Sequence, residues 1–301
     1  MLRRSVLISL VLLAACATAP TAQTQHEPAQ YPPGFQSDRI IVTAQGSGGD
    51  VILIPGLTSS SSVWDTTVSA LVSTHRVHVV QVRGFAGTDA AGNAEGPVSA
   101  PVAEEIARYI AENNLNRPAV IGHSMGGTIG MMLAARHPDA VGRLMVVDMF
   151  PFMGAMFGGQ TADAVRPVAD QIRSQMISAP PGTTGGMLEQ MISNMVQTES
   201  ARPSLVQQAR DSNRTTVANA FHELIVTDLR PELANIRVPT TVLYVIPPQA
   251  PITPEQYVGF MEMSYATVPN KRIVSIDDSY HFIMIDQFDR FMSEVNTFLA
   301  N

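Results

Sequence analysis

A chain of 301 residues, 45% hydrophobic and 15% charged, is long enough to bury a large core, which excludes a disordered or collagen-like polymer. A formal net charge of −7 with no basic stripe excludes a nucleic-acid partner, because nothing would displace counterions from phosphates. The one cysteine, Cys16, excludes a disulfide within the chain.

Arg3 and Arg4 precede an apolar stretch over 6–13 that runs into Leu13-Ala14-Ala15-Cys16. A basic start, a short apolar run and small residues before a cut site predict a secretory signal peptide over 1–15. The run is too short to span a bilayer, which takes about 20 apolar residues. The quartet resembles a bacterial lipobox, whose cysteine becomes the lipid-modified first residue of the mature chain. That resemblance implies lipidation at Cys16, a lipid anchor in a bacterial membrane, and export to the cell envelope as an outer-membrane lipoprotein or periplasmic protein. The alternative is an ordinary secretory signal with an incidental cysteine. Residues 16–35, rich in Thr, Ala, Gln and Pro, predict a flexible tether.

The rest alternates strands with helices, which predicts an α/β fold with a mostly parallel sheet flanked by helices. A strand is expected at 39–43. Val51-Ile52-Leu53-Ile54 is an unbroken apolar run, as a strand covered on both faces requires, and it ends at Pro55-Gly56. A serine-rich loop leads to a helix carrying Val63, Trp64, Val68 and Leu71. A strand at 77–82 is followed by a helix over 98–113 with Val102, Ile106, Tyr109 and Ile110 at helical spacing. Strands follow at 118–122 and 144–147, the second ending at Asp148.

The pattern then changes. The segment 149–236 is rich in Met, Gly and Pro, with helices expected at 165–177, 187–196 and 204–213. Strands return at 240–245 and 272–276, before a final helix at 286–299. This layout predicts a core built from 36–148 and 237–301, interrupted by a cap insertion at 149–236.

Gly122-His123-Ser124-Met125-Gly126 lies where a buried strand turns into a helix over 128–136. A serine on such a turn is strained and its hydroxyl is exposed, and glycines on either side remove Cβ atoms that would collide across the bend. Pro55-Gly56-Leu57 after a strand and Ser279-Tyr280-His281-Phe282 before the last helix complete a pattern that resembles the α/β-hydrolase family over roughly 39–299. The resemblance implies an α/β-hydrolase fold with a helical cap. It also implies Ser124 as nucleophile, His281 as base, and the backbone N–H groups of Leu57 and Met125 as oxyanion donors.

Two departures stand out. The family usually has a histidine before the glycine of the first loop; Pro55 stands there, which keeps the backbone donor and removes a bracing hydrogen bond. The usual acid-bearing loop, Ile246 to Thr253, holds no Asp or Glu. Asp148, at the end of the preceding sheet strand, is the expected triad acid, because some members, haloalkane dehalogenases among them, look similar in placing it there. The alternative is a structural aspartate opening the cap. Asp277 and Asp278 lie too close in sequence to His281 to reach its far nitrogen, and Asp228 is expected to close the cap segment. His123 is read as a packing residue, and His75, His78, His137 and His222 as structural.

A serine at the elbow excludes the alkyl-enzyme chemistry of dehalogenases and epoxide hydrolases, which use aspartate there. It implies acyl transfer, and the expected activity is hydrolysis of a carboxylic ester. No cofactor or metal is expected, since the chain has no H-E-x-x-H, Cys/His cluster or dinucleotide fingerprint. Phe150, Phe152 and Met153 are the expected substrate pocket, with Met156, Phe157, Met187, Met191 and Met195 nearby in sequence, which suits an apolar acyl or aromatic ester. The alternative use of this stripe is packing of the cap on the body. An amidase or aminopeptidase, a lactonase, a thioesterase, a C–C-bond hydrolase and a perhydrolase are further readings within the fold. A catalytically silent binding lipoprotein is the reading that the empty acid loop invites.

Overall fold

The computed structural model describes residues 34–180, 185–247, 250 and 252–300, with the backbone alone for 185–188. The expected signal peptide, Cys16 and the tether before residue 34 lie outside the described residues.

Eight strands form a single sheet in the order β1-β2-β4-β3-β5-β6-β7-β8. They are β1 (Phe35–Gln36), β2 (Ile40–Gly46), β3 (Gly49–Ile54), β4 (His75–Val82), β5 (Ala119–His123), β6 (Arg143–Val147), β7 (Thr240–Tyr244) and β8 (Lys271–Ser275). From β4 to β8 every pairing is parallel, while β1 and β2 add an antiparallel edge. The expected strand at 39–43 is therefore longer and leads into a hairpin-like edge, and Phe35, expected in the tether, belongs to β1.

β3 shows why the sheet is covered twice. Val51 and Leu53 enter one apolar cluster with Trp64, Leu71, Ile121 and Phe291. Ile52 and Ile54 enter the other, with Val102, Ile106 and Ile129. Successive side chains leave a pleated strand on opposite faces, so an unbroken apolar run needs a helix layer on each side.

The helices are α1 (Asp65–Leu71), α2 (Ser99–Glu112), α3 (Met125–Arg136), α4 (Ala162–Ser178), α5 (Gly185–Met195), α6 (Arg202–Asp211), α7 (Arg214–Val226), α8 (Pro254–Ser264), the short α9 (Ile283–Asp286) and α10 (Phe288–Ala300). Residues of α2, α3 and α8 pack in one cluster, and those of α1 and α10 in the other. α4 to α7 all lie between β6 and β7. Of these, α4 and α7 share a small core of Val165, Ala169 and Ile225 with Phe152.

Besides the short α9, two helices lie where the sequence predicts none. α7 opens on Thr215, Thr216 and Val217, β-branched residues that weaken a helical signal. Its N-terminus is secured by Asn213, whose side chain accepts the Thr216 N–H at 3.0 Å. α8 begins with a capping box between Thr253 and Gln256 and has Pro254 in its first turn. α7 also ties the insertion to the body. Glu223, only 8% exposed, accepts the N–H groups of Val98 and Ser99 at 2.6 Å and of Ala100 at 2.9 Å. Those are the free donors at the start of α2, where a negative charge is favoured. No helix among the described residues is long and apolar enough to cross a membrane.

Candidate active site

Ser124 sits between β5 and α3 with φ +53° and ψ −122°, a conformation that costs a non-glycine residue about 1–3 kcal/mol. The surroundings enforce it. The Ser124 N–H donates to the Val147 carbonyl at 2.9 Å, and the Ser124 carbonyl accepts from Gly127 at 2.7 Å and Thr128 at 3.2 Å. A Cβ at Gly122 would lie 2.1 Å from the Gly126 carbonyl oxygen, and one at Gly126 would lie 2.2 Å from that of Ile54. The turn closes only because both positions lack side chains. Met125 follows as the first helical residue, where an α-helix leaves the N–H without an internal acceptor.

The loop after β3 lies against the elbow. A Cβ at Gly56 would come within 3.0 Å of the Ser124 Cβ. The Ser59 N–H closes a turn onto the Gly56 carbonyl at 3.2 Å, with Leu57 inside that turn.

Asp148 and His281 meet. The Asp148 Oδ2 is 2.6 Å from His281 Nδ1, although 133 residues separate them. Asp148 has φ +51°, and its N–H donates to the Leu243 carbonyl at 2.8 Å. Its Oδ1 accepts the Val245 N–H at 3.1 Å. The sheet order explains the encounter: β6 and β7 are neighbours, so the residue after β6 reaches the first residue after β7. The residue just before the loop that lacks an acid thus supplies a backbone donor that orients one. A carboxylate on Nδ1 fixes the imidazole with its proton there, leaving Nε2 as an acceptor. The charge of Asp148 also acts on two phenols. Burial first, then that charge, push the Tyr257 and Tyr265 hydroxyls above their ordinary range. The Tyr265 hydroxyl donates to the Met149 carbonyl at 2.6 Å.

His123 does more than pack. Its ring lies 4.6 Å from the His281 ring and 4.8 Å from Phe282, and its Nε2–H donates to the His281 carbonyl at 3.0 Å. Its buried Nδ1 has no hydrogen-bond partner among the described residues, so a proton added there would be unsatisfied. Burial, reinforced by the neighbouring His281, holds the His123 imidazole well below its usual range. Its place beside the elbow serine, pointing away from it at the end of β5, was the only sequence sign of this role, and it did not reveal the partner.

The other predicted residues divide. Phe150 meets the rings of Phe260 at 5.3 Å and Tyr257 at 6.3 Å, and Met153 is partly buried against two clusters. Phe152 turns into the core of the insertion, with the Arg230 guanidinium 4.6 Å above its ring. His78, His137 and His222 each hydrogen-bond a carboxylate. Asp228 pairs with Arg230. Among the described residues, no group of three or more His, Cys, Asp or Glu is arranged to hold a metal ion.

A model of the alpha/beta hydrolase fold matches residues 50–288. The chain belongs to the α/β-hydrolase family. It is an enzyme, which sets aside the reading as a silent binding protein. This hydrolase is 24% identical over 267 residues to a pimeloyl-[acyl-carrier protein] methyl ester esterase of Aliivibrio fischeri strain MJ11, covering 85% of the chain and 95% of the relative. The protein of the same name from Vibrio cholerae is 30% identical over 207 residues, covering 66% and 76%. The hydrolase also superposes on an esterase from Exiguobacterium antarcticum with a TM-score of 0.72 at 19% identity, covering 87% of this chain and 96% of that one.

Proposed function

We propose that this hydrolase cleaves carboxylic esters through an acyl-enzyme, with Ser124 as nucleophile, His281 as general base and Asp148 as the acid that orients it. One observation carries the reading: the 2.6 Å bond between His281 Nδ1 and Asp148 Oδ2, in a fold whose elbow holds Ser124 at φ +53°. With Nδ1–H donating to the Asp148 carboxylate, Nε2 takes the Ser124 hydroxyl proton as Oγ bonds to the substrate carbonyl carbon. The carbonyl electron pair moves to oxygen, where the N–H groups of Leu57 and Met125 stabilise it. Collapse expels the alcohol, which carries away the proton held by His281. Water, deprotonated in turn by His281, attacks the acyl carbon, and Ser124 leaves with that proton. Ester and water become acid and alcohol.

The names of the two curated relatives support an ester, and specifically a small alkyl ester of an acyl chain. Phe150 and Met153 offer an apolar wall for such a chain, with Phe152 backing Met153 from inside the insertion. The segment 149–236 acts as the cap. The signal-like N-terminus adds export and anchoring through Cys16, tested by membrane fractionation with C16A, which is expected to release the protein. The activity is tested with a panel of ester chain lengths beside amides and lactones, each with S124A as control. Ester turnover that disappears in S124A is the expected result. Turnover that survives S124A, or a preference for amides, overturns the reading.

A further inference from the structure

Three backbone groups flanking the His281 ring are tied down, and the ties come from different parts of the molecule. The His281 carbonyl is held by His123 from the sheet at 3.0 Å. The Phe282 N–H donates to the carbonyl of Met195, the last residue of α5, at 3.2 Å. The Tyr280 N–H donates to Asp286 Oδ2 at 3.0 Å.

Asp286 does not stop at Tyr280. Its Oδ1 accepts the Thr198 N–H at 2.8 Å, and the Gln197 N–H lies 3.0 Å from both carboxylate oxygens. One carboxylate therefore joins the segment that carries His281 to the chain leaving α5 in the insertion. Charge-assisted bonds of this kind are roughly twice as strong as neutral ones, and here they converge on a short connection with little regular structure of its own. Neither Gln197 nor Thr198 bears a side chain that this contact uses. The bond is read from the backbone, so it leaves no motif in the sequence.

We propose that Asp286 is a positioning residue for His281. It locks the base-bearing segment against the end of α5, so that the imidazole keeps its bond to Asp148. The proposal rests on the reading of His281 as the base. The insertion would then serve the chemical step as well as substrate binding, because the same residues that follow α5 also set the base. Such a role acts on kcat. A displacement of about 1 Å in a catalytic group costs about 100-fold in rate.

Two variants separate this from a merely structural role. D286N keeps the volume but turns an NH2 toward N–H donors, breaking ties on one side. T198P removes one of the two insertion-side donors and leaves that of Gln197, and Thr198 already has φ −65°, the value proline requires. In the full chain, kcat and KM are measured on p-nitrophenyl acetate and p-nitrophenyl octanoate, with thermal melting as the folding control. The downfield Nδ1 proton of His281 is followed by NMR. D286N is expected to lose about 10- to 100-fold in kcat on both esters with KM unchanged, and to shift or broaden the Nδ1 proton. T198P is expected to act in the same direction and more weakly, and it decides the matter if D286N does not fold. Unchanged kcat and an unchanged Nδ1 signal overturn the proposal. So does a rise in KM confined to the octanoate, which would make Asp286 a wall of the acyl site. If the wild-type protein hydrolyses neither ester, the esterase reading fails, and the NMR signal alone still decides whether Asp286 positions His281.

Discussion

Replacing Asp148 with asparagine (D148N) changes one atom and a charge while sparing the backbone. The position has φ +51°, where asparagine is among the few residues that sit comfortably. The N–H bond to Leu243 is made by the main chain and survives, and the asparagine oxygen still accepts from Val245. What changes is the atom facing His281 Nδ1 at 2.6 Å, which becomes an NH2. Two donors cannot face one another, so the imidazole moves its proton to Nε2 and loses the lone pair that Ser124 needs. The charge that would stabilise the imidazolium is lost as well. At about 4 Å between charge centres and an effective dielectric of about 20, that term is worth about 4 kcal/mol, or roughly three decades in rate. Adding the wrong tautomer brings the expected loss to about 10⁴-fold in kcat. The assay is steady-state ester hydrolysis, with KM and the melting temperature measured alongside. A folded D148N within tenfold of wild-type kcat would refute the reasoning and remove Asp148 from the triad.

Ser124→Gly should melt higher than Ser124→Ala, by an amount on the order of 1 kcal/mol, because alanine keeps the Cβ that φ +53° strains and glycine does not. Equal melting temperatures would place the strain elsewhere. Glu223→Ala should cost about 3 kcal/mol in urea unfolding, since it strands the three N–H groups of 98–100 and removes a favourable charge from the start of α2. A cost under 1 kcal/mol would contradict this. Burial lowers the folded pKa of both His123 and His78, so below about pH 6.5 the unfolded chain binds more protons than the folded one. Stability is then complete above that pH and falls below it, by up to about 1.4 kcal/mol per pH unit for each histidine. Urea unfolding at pH 7.5 and 5.5 measures the slope, and a stability that rises on acidification would be the wrong sign.

The sheet and the elbow were legible because their signals are local. An unbroken Val51–Ile54 run, glycines two residues before and after Ser124, and a histidine ahead of the last helix each lie in a few consecutive residues. Asp148 beside His281 was legible one step further, through the order of neighbouring strands. The insertion was harder. Its three expected helices lie close to α4, α5 and α6, but α7 has a β-branched first turn and is held by Asn213 and by packing. α8 had a readable capping box at Thr253 and Gln256, obscured by the prolines before it. Phe152 was expected in the pocket because it stands with other large apolar residues at the entry to the insertion, yet its ring enters the insertion's own core under Arg230. Asp286 and Glu223 could not be read at all. Each carboxylate meets backbone N–H groups at least 88 residues away in part or whole of its contacts, and backbone donors are identical for every side chain.

The central claim is that Ser124 is the atom acylated. Treating the intact protein with a fluorophosphonate and locating the adduct by peptide mass spectrometry tests it without assuming a substrate. The account predicts one adduct per chain, on the peptide containing Ser124, and none in a folded S124A. A wild-type protein that does not label, or an adduct that persists unchanged in S124A, would contradict it.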